Sequence, residues 1–183
     1  MCALSNQNAR IEGRAMYEKL LDEAQANGIT VIEKYPFSSP RIRGLCCDDT
    51  IAISAQVDTT AERTVVLCEE LTHALHSYGD ILTDARMERR TRERIFDRLV
   101  GIKGLLSASL DGCREPWEFA EYFGVPEEFL CAVMANYRER FGTMTRLRIG
   151  QECYILSFEP TFRVRRLSTK RNKKRTLLKE AAQ

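Results

Sequence analysis

The chain has 183 residues, a formal net charge of +2 and 44% apolar residues, enough for one domain with a real core. No apolar run approaches membrane-spanning length, and the polar stretch Met1 to Arg14 lacks a hydrophobic signal region, so a cytoplasmic protein with no membrane partner is expected. Seven cysteines, an odd number without a C-x-x-C pair, argue for reduced, packed thiols and against a disulfide framework or zinc knuckle.

In chain order, Ala9 to Asn27 reads as an amphipathic helix, with Ile11, Met16, Leu20, Leu21 and Ala24 near a 3.6 period and Gly28 as its stop. Ile29 to Ile32 reads as a strand. Pro36 and Ser38-Ser39-Pro40 mark a loop. Gly44 to Cys47 and Thr50 to Ser54 flank Asp48-Asp49 as a hairpin. If Cys46 and Cys47 are extended, they point to opposite faces and do not chelate one metal together. A central helix is expected from about Thr59 to Ser77, capped by Thr59 or Thr60, with Glu62 in its first turn and Gly79 after its end.

A second long helix is expected over Asp84 to Leu106, polar at first and then apolar at Ile95, Phe96, Leu99, Val100, Ile102 and Leu105. Glu115 to Phe123 reads as a short helix. Gly124-Val125-Pro126 reads as a turn, with Pro126 at the first position of a helix ending near Phe141-Gly142. Leu147 to Val164 holds two strand-like runs, Leu147 to Ile149 and Glu152 to Phe158. From Arg163 onward there are nine basic residues and one acidic, against 19 basic and 25 acidic before it. The body is acidic and the end basic. The expected architecture is α+β, mainly helical, with a small antiparallel sheet and a C-terminal helical hairpin. Residues 1–112 carry the central helix, 113–167 the hairpin and last strands on the same domain, and 168–183 a basic tail.

The chemistry concentrates on the central helix, in Glu69-Glu70-Leu71-Thr72-His73 and then His76, the chain's only two histidines. Glu69 and His73, four apart, share a helical face. Val65-Val66-Leu67-Cys68 is apolar around most of the helix, so the segment is expected to be buried. A buried carboxylate and imidazole each need a partner, and a shared metal ion would satisfy both. The segment differs from the H-E-x-x-H zinc-protease motif by glutamate at the first ligand position, and Glu70 stands where that motif has its general base. Against this, Glu-x-x-x-His is also an ordinary intrahelical pair, and helical charges are usually solvated. A third ligand could be Glu88, followed at helical spacing by Thr91, Ile95, Leu99 and Ile102, or else Glu93, Asp80 or Asp84.

The pattern resembles the ImmA/IrrE family of metallo-endopeptidases, in particular members on phages and mobile elements. The matching segments include Tyr17 to Ala24, Asn27-Gly-Ile-Thr-Val31, Ile51 to Ser54, Glu69 to His73, and the Glu88 helix ending in Arg98-Leu-Val-Gly101. Trp117 to Leu130, Tyr137 and Tyr154 to Pro160 complete them. The resemblance implies a zincin-like metallopeptidase domain, with Glu69, His73 and Glu88 as metal ligands and Glu70 as the catalytic base. It also implies a helix-turn-helix repressor of the same element as the protein substrate. Where such proteins often carry small residues three and seven positions after the ligand glutamate, this chain has Thr91 and Ile95. Two carboxylates and one imidazole make a harder, more anionic site than two histidines, suited to Zn2+ with Mn2+ or Fe2+ as alternatives.

Phe119 to Leu130 has the outline of a DNA-reading helix-turn-helix, but its second helix opens with Glu127-Glu128, which would face phosphates. A helical hairpin packed on the domain is the expected role. Lys170-Arg-Asn-Lys-Lys-Arg175 is the nucleic-acid signal of the sequence, a basic tail expected to give weak contact without base stacking. The competing functional class is a non-catalytic DNA- or protein-binding regulator whose metal site is degenerate or structural.

Overall fold

The computed structural model describes residues 16–76 and 85–167. The start of the first expected helix, the stop at Gly79 and the basic tail lie outside the described residues. Helix α1 runs over 16–26 and buries Tyr17, Leu20 and Ala24. Gly28, at φ 75, reverses the chain, and Ile29 N–H closes back on Ala24 O at 2.8 Å. A left-handed residue after a helix end favours glycine because it has no Cβ to clash.

Strands β1 (Thr30–Tyr35), β2 (Gly44–Cys47) and β3 (Thr50–Ser54) form one sheet in the order β1-β3-β2. The Asp48-Asp49 hairpin forms as expected, pairing Cys47 with Thr50. The sheet is nevertheless mixed, because β1 runs parallel to β3. Since β2 occupies one edge of β3, β1 must take the other. Ile51 and Ile53 of β3 are fully buried.

Helix α2 (Thr60–His76) follows. Thr59 caps it reciprocally: Glu62 N–H donates to Thr59 Oγ1 at 3.1 Å, and Thr59 N–H donates to Glu62 Oε2 at 3.2 Å. Leu67 and Leu71 are each 0% exposed, and burying a leucine contributes roughly 1.5–3 kcal/mol. The expectation that Val65 to Cys68 is buried is met.

The long helix expected over Asp84 to Leu106 is two helices, α3 (Ala85–Leu99) and α4 (Ile102–Leu110). Gly101, at φ 65 and ψ 144, breaks them. The apolar pattern continues across the break because both pieces pack on the same core. Helices α5 (Pro116–Phe123) and α6 (Glu127–Phe141) form the expected hairpin, with Gly124 left-handed at φ 63 between them. Pro126 caps α6 from outside rather than occupying its first turn. The α5 cap is a glutamate box, Glu115 with Glu118.

Three strands, not two, close the described chain: β4 (Met144–Ile149), β5 (Glu152–Ser157) and β6 (Arg163–Leu167), an antiparallel meander. β6 is Arg-Val-Arg-Arg-Leu, too charged to read as a strand from composition. Its alternate residue Val164 reaches the small cluster of Leu106, Tyr154 and Leu156. One larger core joins α1, the first sheet, all later helices and Phe158. The fold is therefore α+β, with helices between two small sheets in the chain. Among the described residues no helix is long and apolar enough to cross a membrane.

Candidate functional site on helix α2

Sequence spacing sets Glu69 and His73 on successive turns of one face of α2, with Glu70 about 100° further round. All three are half-buried. Glu70 follows Val66 by four residues, and both side chains press against Gly44 of β2, where there is no room for a Cβ. The helix thus lies across an edge strand whose backbone comes close to a carboxylate. Cys46, two residues along β2, also turns toward α2, while Cys47 is exposed. The opposite-face expectation for the two cysteines holds.

This enclosure changes proton affinities. Burial pushes Glu70 up to about 7 from 4.5, the adjacent Glu69 carboxylate adds to the rise, and a backbone hydrogen bond from Cys46 opposes it. Burial also raises Glu69, against the pull of Arg43 and Arg92. Burial raises the Cys46 thiol too, with Glu70 as the next cause, so a reactive thiolate is disfavoured there. A carboxyl titrating near neutrality can take a proton and give it back under ordinary conditions.

Glu88 stands apart from this group. Its side chain is 67% exposed and pairs with Arg92 at 3.0 Å, one turn along α3. The inward stripe expected to include it begins later: Thr91 is half-buried, and Ile95 and Leu99 are buried. The first turns of α3 project beyond the core, so helical spacing alone could not tell where its stripe meets neighbours. Glu93 is half-buried and pairs with Arg89 at 3.8 Å. The His76 side chain, Asp80 and Asp84 lie outside the described residues.

Among the described residues, no three His, Cys, Asp or Glu side chains converge in a way that could hold a metal ion. Glu69 and His73 are two potential donors four residues apart on one face of α2, and the described part of α3 brings no third beside them. A cleft of 320 Å³ lies elsewhere, lined among others by Phe119, Leu130, Met134, Phe162, Arg114 and Arg138, and shares no residue with the α2 group.

Sequence reasoning did not identify Gly44 and Cys46 as the wall facing Glu70. The available signal was a glycine opening a strand, which often marks close backbone approach. The helical hairpin is built as expected: Ala120, Val125 and Leu130 are buried, while Glu127 and Glu128 are exposed. Comparisons of the chain with protein-family models, characterised proteins and solved structures give no match.

Proposed function

We propose that the chain is a regulatory metallo-endopeptidase of ImmA/IrrE type, zincin-like in architecture, with Glu70 as its base. The observation that carries this reading is Glu70 itself: half-buried against an edge strand, beside Glu69, and titrating at about 7. As a carboxylate it would accept a proton from the attacking water. The water oxygen bonds to the peptide carbonyl carbon, the C–N bond breaks, and Glu70 returns the proton to the leaving amine. The outer edge of β2 pairs with no strand among the described residues, and its backbone groups, apart from the Cys46 N–H that Glu70 accepts, would be open to an extended substrate segment.

Glu69 and His73 would hold a divalent ion, Zn2+ by donor type with Mn2+ or Fe2+ as alternatives. Its chemistry would be to polarise the substrate carbonyl. Glu88 would have to exchange its Arg92 partner for the ion to serve as the third donor. The substrate of this reading is a helix-turn-helix repressor of a phage or mobile element, and it rests on the segment resemblance alone.

Elemental analysis of native protein beside Glu69→Ala and His73→Ala tests the site. Equimolar metal lost in both variants is expected, and metal content unaffected by either overturns the assignment. A second reading, a non-catalytic regulator, is favoured by the exposed pairing of Glu88 with Arg92. Native protein purified without metal, and unable to cleave repressor after zinc is added, would support it.

A further inference from the structure

We propose that the outer face of the β4-β5-β6 sheet is a docking surface for the phosphate backbone of duplex DNA. The register fixes which side chains share that face: Arg146 lies opposite Ile155, and Ile155 lies opposite Arg165. Arg148 and Arg163 stand on the same face through Cys153 and Ser157. The other face carries Tyr154, Leu156 and Val164 into the core cluster over α4. On the outer face nothing is buried, and even central Cys153, Ile155 and Ser157 are only half-covered.

Charge decides what this face can receive. Its four arginines are all exposed, and no Asp or Glu stands among its positions. Glu152 points to the opposite face, where it pairs with Arg166 at 2.6 Å. Among the described residues no carboxylate pairs with Arg146, Arg163 or Arg165. Arg148 spends one N–H on Gly150 O, at 3.2 Å. Uncompensated cations side by side on a folded sheet repel one another, and a polyanion relieves that repulsion.

Spacing and composition favour duplex DNA over other anions. Residues two apart on a strand are about 7 Å apart, and Arg146 and Arg165, two strands away, are about 10 Å apart. Guanidinium groups bind phosphate bidentately. The face has no aromatic side chain, so a single strand would gain no base stacking. Nor does it present a large apolar wedge for a bilayer, Met144 at one corner being its one strongly exposed apolar residue. This surface shares no residue with the α2 site, so the failure of either reading leaves the other standing.

The test is fluorescence anisotropy of a short labelled duplex with the full chain, titrated between about 50 and 200 mM salt. Arg146→Ala/Arg165→Ala is expected to weaken binding about tenfold or more at low salt. It should also make the slope of log K against log salt shallower by about two. Arg146→Lys/Arg165→Lys is expected to keep the slope. Circular dichroism checks the fold, and Arg148→Ala/Arg163→Ala carries the same expectation if the first pair misfolds. Unchanged affinity and slope in both alanine pairs would overturn the proposal. So would tighter binding to polyglutamate or to anionic lipid vesicles than to duplex at equal salt.

Discussion

Gly44 and Glu70 compete for the same space: a Cβ on Gly44 would lie 2.8 Å from Glu70 Oε1 and 2.6 Å from Val66 Cγ1. The absence of a side chain on one strand residue therefore sets how closely β2 approaches the helix that carries the candidate base. The carboxylate end of Glu70 can swing away, but Val66 is 3% exposed and held by the core.

Gly44→Ala should accordingly destabilise the fold by about 1–3 kcal/mol, the usual cost of overpacking. It should also push Glu70 toward solvent and lower its pKa. Urea denaturation measures the first effect, and carboxyl titration by NMR the second. A variant as stable as the parent, with Glu70 titrating unchanged, would refute the contact.

Glu70 should make stability depend on pH in a defined direction. Its pKa is about 7 in the folded protein against 4.5 as the ordinary value. Between those values the native state holds more protons than the unfolded chain, so stability falls as pH rises from 4.5 to about 7. The full shift corresponds to about 3 kcal/mol, reduced to about 1–2 kcal/mol because the side chain is only half-buried. Glu70→Gln should flatten this dependence, as read from urea midpoints at several pH values across the window. If the proposed hydrolysis occurs, its rate should fall at least about a hundredfold in Glu70→Gln.

Glu88→Ala separates structure from ligation. An exposed ion pair one helical turn long is worth about 0.3–0.5 kcal/mol, so denaturation should move little. Metal content of the same variant should fall if Glu88 leaves Arg92 to complete the proposed ion site. Full metal retention would strike Glu88 from the ligand set.

Gly101→Ala should cost about 1–3 kcal/mol, because φ 65 with ψ 144 is a conformation that residues with a Cβ avoid. The new Cβ would also meet Asp97 O at 3.0 Å. Equilibrium denaturation tests this, and an unaffected midpoint would mean the chain can rejoin α3 and α4 without strain.

Local chemistry was legible in the sequence where short-range physics decides it. The Thr59-Glu62 cap, the Asp48-Asp49 hairpin, the helical hairpin after Cys113 and the burial of Val65 to Cys68 all follow from side-chain type and period. So does the sharing of one helical face by Glu69 and His73. Gly101 was visible but ambiguous, since an apolar period that continues through a glycine fits either one helix or two on a common core.

Tertiary structure alone decided what each face meets. Glu88 has the right period for an inward position, yet it projects beyond the core and pairs with Arg92. β6 is too charged to read as a strand, and becomes one because β5 supplies its hydrogen bonds and Val164 its apolar contact. Register then gathers arginines from β4 and β6, far apart in sequence, onto one open face. Glu70 titrates near neutrality because β2 closes over it, a nearness set by the packing of the sheet on α2 and not by any spacing along the chain.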